Sequence, residues 1–238
     1  MIRDSKAFWM GIIMMIAFCG IYLYMMSPSF GNGRNGLDWA DDMFNSISKG
    51  SAQAVILGEI KKAEKWNGTA IEVNLKCKDE SQAKRWSAAL QKVDGAEVKV
   101  DKEKIVLKTD FGKLLANVSE DCKSMFENKG DVVQAKYNTD PRDATNRWYS
   151  IIKAIGKDLE KKQQFKQSVY LQNYQKKVIE PAYNYYGVET KFVKDNKGLM
   201  TFMLVFYMFY TLWYGFAIYY ICVGLGITMT KAAKKSEA

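Results

Sequence analysis

Histidine is absent from all 238 residues. That removes the most common general base, the most common metal ligand and the ordinary near-neutral pH switch. Cysteine is scarce: Cys19, Cys77, Cys122 and Cys222 include no CxxC pair, so a zinc-ligand spacing is missing. Candidate nucleophiles have no base to activate them. The paired acids Asp41–Asp42 and Glu120–Asp121 fall on helical segments, where solvated surface is the simpler reading. Internal repeats and low-complexity tracts are absent. A strong charge bias is also missing: residues 27–198 hold 30 Lys+Arg against 24 Asp+Glu, a mild surplus that reads as solvated surface rather than a nucleic-acid site. Taken together, these absences argue against an enzyme and imply no cofactor and no metal.

Charge is also missing from one long stretch. No Asp, Glu, Lys or Arg lies between Lys197 and Lys231. Residues 199–230 therefore read as a transmembrane helix with length to spare, since about 20 apolar residues cross a bilayer. Residues 7–26 form a second apolar run. It is longer than the core of a cleaved leader, and Ser27-Pro28-Ser29 is a poor cleavage site, so an uncleaved anchor is expected. Arg3 and Lys6 precede the first run, and Lys231, Lys234 and Lys235 follow the second. The positive-inside rule then puts both termini in the cytoplasm and the middle outside the inner membrane. The tails, 1–6 and 231–238, are too short for a domain.

Between the runs, 27–68 reads as a flexible exit followed by two amphipathic helices. Leu37, Ala40, Met43, Phe44 and Ile47 share one face; Lys49-Gly50-Ser51 breaks the helix; Val55, Ile56, Ile60 and Ala63 resume it. The segment 69–138 is the most legible. Ile71, Val73, Leu75 and Cys77 alternate with Glu72, Asn74 and Lys76, as a half-buried strand does. Asp79 with Gln82 is a capping box for a helix striped by Ala83, Trp86, Leu90 and Val93. Strands are expected at 96–100 and 104–108. Asp110 then caps a helix striped by Phe111, Leu115, Val118, Cys122 and Met125, and 132–137 reads as a last strand. The order βαββαβ predicts a ferredoxin-like α+β domain with sheet order 4-1-3-2 and both helices on one face. That topology hosts many functions and implies none. Residues 139–198 are helical, opened by Pro141 behind an Asp140 cap, and form either one long helix or two meeting near Lys161.

Three sets of residues bear on function. Cys77 is late in the first strand and Cys122 late in the second helix, so the pair is open to two readings: a disulfide in an oxidising compartment, or two separate buried cysteines that behave as small apolar residues. Lys153, Lys157 and Lys161 are spaced four apart on one helical face, suited to anionic lipid or an acidic polymer, or simply to solvent. In 199–230, ten residues are aromatic, and Tyr210, Trp213 and Tyr214 lie mid-span, where a hydroxyl or an indole N–H needs a partner. Thr211 with Gly215, and Cys222 with Gly226, are small-xxx-small pairs that permit close helix approach. One companion helix satisfies few of these groups, so a membrane protein partner or self-association through this helix is expected.

The layout resembles polysaccharide co-polymerases: a helix near each terminus, an α/β extracytoplasmic domain with a long helix, and tiny tails. The resemblance covers topology only and implies a regulator of polymer export. That family's proline- and glycine-rich motif around the second membrane helix has no counterpart here, since no proline follows Pro181. The residues themselves favour a non-catalytic accessory or scaffold subunit of a membrane complex, contacting the lipid bilayer and no nucleic acid.

Overall fold

The computed structural model describes residues 2–227. Lys231, Lys234 and Lys235, and the end of the 199–230 run, lie outside the described residues. The chain divides into two compact units, 1–44 with 192–238, and 45–191.

In the first unit, helix α1 spans Ser5–Met26 and the C-terminal helix spans Lys197–Leu225. Both are long and apolar enough to cross a membrane. Asp4 caps α1, its carboxylate accepting the Ala7 N–H at 3.0 Å. The C-terminal helix ends on Gly226 at φ 74°, a left-handed cap that glycine adopts without strain. The two helices run antiparallel in direct contact. A Cβ added at Gly11 would lie 2.7 Å from the Ile221 nitrogen, and one added at Gly224 would lie 2.5 Å from the Phe8 Cα. The missing side chains are what let the backbones approach. The Arg3 and Asp4 N–H groups both donate to the Gly224 carbonyl, at 2.8 and 3.1 Å.

Helix α2 spans Gly36–Ala63 without the break expected at Lys49-Gly50-Ser51. A single helical glycine costs only about 1 kcal/mol. Ile47, Lys49 and Gly50 are all buried within a single turn of the continuous helix.

The second unit continues with β1 (Ala70–Lys76), α3 (Glu80–Leu90), β2 (Glu97–Asp101), β3 (Lys104–Asp110) and α4 (Phe111–Phe126). The three strands form an antiparallel sheet in the order β1-β3-β2, with Val73 and Val98 both opposite Leu107. Ile71, Val73, Leu75, Ile105 and Leu107 face the core, while Glu72 and Lys108 pair at 3.2 Å on the solvent face. The expected caps form. Asp79 accepts the Gln82 N–H at 2.6 Å, Gln82 accepts the Lys78 N–H at 2.8 Å, and Asp110 accepts the Lys113 N–H at 2.9 Å.

The expected strand at 132–137 is instead helix α5, Gly130–Tyr137. Val133 is buried and Val132 exposed, and Tyr137, one turn on from Val133, turns its hydroxyl inward to Asp121. The βαββαβ arrangement and its 4-1-3-2 order are corrected accordingly to a three-stranded sheet. The place beside β1 that a fourth strand would fill is met by helix α6 (Pro141–Lys161) and the residue that caps it. Asp158 accepts the Asn74 N–H at 3.0 Å, and Lys162 donates to the Glu72 carbonyl at 2.6 Å.

The chain reverses at 162–164, where Gln163 is left-handed at φ 59°, so 141–180 holds two helices. Helix α7 is Phe165–Tyr174. A π turn over Gln175–Ile179 leads into helix α8, Glu180–Asn184, which makes the C-terminal helix α9. Trp148, Ile151, Ile152, Ile155 and Leu159 of α6 join Leu171, Tyr174 and Val178 and the inner sheet face in one continuous core.

Candidate functional site

The expected partner-binding residues of α9 separate into two groups. The Tyr210 hydroxyl donates to the Phe18 carbonyl and the Trp213 indole N–H to the Met14 carbonyl, each at 3.1 Å. A helical carbonyl keeps a second lone pair after its own helix bond, so α1 can accept both. The Phe18 ring stacks on Tyr210 at 4.2 Å and lies 5.1 Å from Tyr214. One companion helix therefore supplies acceptors to Tyr210 and Trp213, while Tyr214 gains a ring contact with Phe18 and stays exposed. Thr211 is satisfied within its own helix, by the Tyr207 carbonyl at 2.8 Å. Gly226 lies past the helix end, where an added Cβ would meet the Arg3 side chain, so Cys222 with Gly226 is no seam for a second helix. Gly215 differs from these. A Cβ added there meets nothing, and Thr211, Phe216 and Tyr219 around it are exposed.

The 45–191 unit encloses charged groups that the sequence pattern did not reveal. The sequence pairs Asp121 with Glu120 as solvated surface, yet the Asp121 carboxylate is buried while Glu120 is exposed. Lys136 donates to one Asp121 oxygen at 2.7 Å; Tyr137 (2.5 Å) and the Trp148 indole (2.9 Å) donate to the other. Burial outweighs these donors and holds the carboxyl above its usual range. The same burial, with Asp121 alongside, pushes the Tyr137 phenol up. Lys49 is fully buried and donates to Asn128 Oδ1, the Tyr185 carbonyl and the Val188 carbonyl at 2.8–3.0 Å. Burial lowers its pKa. Burial also pushes the Glu59 carboxyl up, but Lys62 and Lys177, at 3.0 and 3.2 Å, bring it net below its usual value. Each of these groups joins two or more segments through its hydrogen bonds, which suits positioning.

Of the two readings of Cys77 and Cys122, the structure has the separate one: both are buried free thiols. Cys77 closes the hairpin end of β1, its N–H donating to the Glu103 carbonyl at 2.8 Å, and has Asp79 and Glu103 as charged neighbours. Cys122 has Asp121 instead. Burial is the main cause that pushes both thiols up. Lys153, Lys157 and Lys161 are exposed on the side of α6 opposite the core stripe, with Lys153 Nζ 5.9 Å from the Tyr149 ring centre. Among the described residues, no group of three or more Cys, Asp or Glu is placed to hold a metal ion.

No family model matches the chain, and no curated protein or solved structure matches it.

Proposed function

We propose that this chain is a non-catalytic accessory or scaffold subunit of a membrane protein complex. In this reading α1 and α9 both span the inner membrane, the termini are cytoplasmic and the 45–191 unit is extracytoplasmic. The observation that carries the reading is the open face of α9 at Gly215. The seam with α1 runs through Tyr210, Trp213, Ala217, Ile221 and Gly224. Thr211 and Gly215 lie off that seam, four residues apart, the spacing that lets another helix approach closely. Within a bilayer, packing and interhelical hydrogen bonds associate helices, because lipid is as apolar as the helices themselves. The buried Asp121, Lys49 and Glu59, each tied to more than one segment, support a role in holding rather than in chemistry.

The test is purification in mild detergent of wild type, Gly215→Leu and Gly20→Leu. Gly20 is equally open on α1 and serves as the control. The expected result is a partner protein, or a second copy, retained by wild type and Gly20→Leu and lost from Gly215→Leu. If wild type purifies alone as a monomer, or Gly215→Leu keeps every partner, α9 is only an anchor and the proposal fails.

A further inference from the structure

A cavity of about 320 Å³ opens between α6 and the segment formed by the π turn and α8. It lies wholly within the 45–191 unit. Thr145, Asn146 and Tyr149 line one side; Ile179, Glu180, Tyr183 and Asn184 line the other. The size is at the small end of ligand pockets, and the lining is of the usual kind, apolar and aromatic surface with a few convergent polar groups.

Three of those polar groups are uncommitted. The side chains of Asn146, Glu180 and Asn184 make no hydrogen bond or ion pair with any described residue. Glu180 is half-buried as a residue, Asn146 and Asn184 are exposed, and the Glu180 carboxylate has no ion-pair partner among the described residues. Lys176 precedes Glu180 by four residues, the spacing that pairs Lys and Glu on an α-helix. The Glu180 N–H instead donates five residues back, to the Gln175 carbonyl, and no ion pair forms between Lys176 and Glu180, although both line a neighbouring opening. Gln175 Nε2 in turn donates to the Tyr149 carbonyl at 2.9 Å, which ties the π turn to the opposite wall of the cavity.

Each ring already has a cation of the chain near one of its faces, and neither cation lines the cavity. Arg142 lies 5.5 Å from the Tyr183 ring centre and Lys153 lies 5.9 Å from that of Tyr149. A half-buried unpaired carboxylate, two amide oxygens and two aromatic faces together match an ammonium group with N–H donors on a short alkyl chain. A carboxylate or phosphate would meet the Glu180 charge. A neutral alcohol would forgo the charge-assisted bond, which is roughly twice as strong as a neutral one.

We propose that this cavity binds a small primary ammonium, with Glu180 taking the charge, Asn146 and Asn184 accepting the remaining N–H groups, and Tyr149 and Tyr183 lining the alkyl part. The reading is independent of α9 and of any membrane partner.

The test is calorimetric titration of the full chain in phosphatidylcholine nanodiscs with n-butylammonium chloride, against empty discs. Saturable binding is expected. n-Butanol, and tetramethylammonium, which lacks N–H donors, should each bind at least about tenfold more weakly. Glu180→Gln keeps shape and removes charge, and should lose about tenfold or more; Asn184→Ala should lose less. Repeating the titration in discs containing phosphatidylethanolamine separates two sources of the group. Competition there assigns the site to a lipid headgroup, and undiminished binding assigns it to a free amine. No saturable binding, butanol binding equal to butylammonium, or unchanged affinity in Glu180→Gln would each overturn the proposal.

Discussion

The Asp158 carboxylate of α6 accepts the backbone N–H of Asn74 at 3.0 Å, at the outer edge of β1. Lys162 pairs with Asp158 at 3.0 Å and donates to the Glu72 carbonyl, so an ion pair one helical turn long stands in for two ladder bonds. An open strand edge invites pairing with other chains, and covering it with a helix is one way proteins prevent that.

Removing that cover should be visible locally. Asp158→Ala is expected to raise amide hydrogen exchange in a peptide spanning 70–76, with a stability loss of about 1–2 kcal/mol for a charged hydrogen-bond partner. Unchanged exchange over that peptide would mean that Asp158 does not protect the edge.

The replacement of the last strand by α5 is tested by paired substitutions. Val133 is buried and Val132 exposed. Val133→Asp should destabilise the 45–191 unit severely, while Val132→Asp should stay within about 0.5 kcal/mol. Leu115→Ala, at a fully buried position of α4, should cost about 2–5 kcal/mol. Denaturant or thermal unfolding of the full chain in detergent measures all three.

The thiols make a chemical prediction. Burial pushes Cys77 and Cys122 up, so little thiolate exists at neutral pH, and the thiolate is the form that alkylates. Both should resist iodoacetamide in the native protein and react fully on unfolding without reductant. A peptide pair released only after reduction would instead show a disulfide.

Glu59 gives a pH dependence. Its folded pKa is depressed, so its contribution is fully present above the ordinary glutamate value of about 4.3 and is lost as pH falls through the lower folded value. The stability gap between wild type and Glu59→Gln should therefore be constant near neutrality and shrink on acidification below about pH 4.3. A gap that widens on acidification would reverse the sign.

The orientation proposed for α1 and α9 predicts that alkaline phosphatase fused after Ala238 is inactive and fused near Gly130 is active. The opposite pattern would place the 45–191 unit in the cytoplasm.

Much of the local structure was legible in the residues. The alternation from Ile71 to Cys77 reports a strand because side chains on a strand repeat every second residue. Asp79, Asp110 and Asp140 mark helix starts because their carboxylates satisfy N–H groups left open in a first turn. The two apolar runs are long enough for membrane-crossing helices, and a helix satisfies its backbone within its own segment, as hydrocarbon surroundings would require. Such signals reach four or five residues along the chain.

What lay beyond that reach was decided by packing. Residues 132–137 carry too few apolar positions to choose a period, and the helix prevails because it brings Tyr137 and Lys136 to Asp121. Lys49 does not break α2, since Asn128, Tyr185 and Val188, all distant in sequence, supply its acceptors. Tyr210 and Trp213 look unsatisfied within α9, and only the antiparallel approach of α1, permitted by Gly11 and Gly224, offers them carbonyls. The amino-acid sequence by itself set where helices and the first strands begin and which faces are apolar, because periods and caps are local. The partner of each buried polar group was set by the tertiary structure, because its cost is relieved only by atoms that folding brings near.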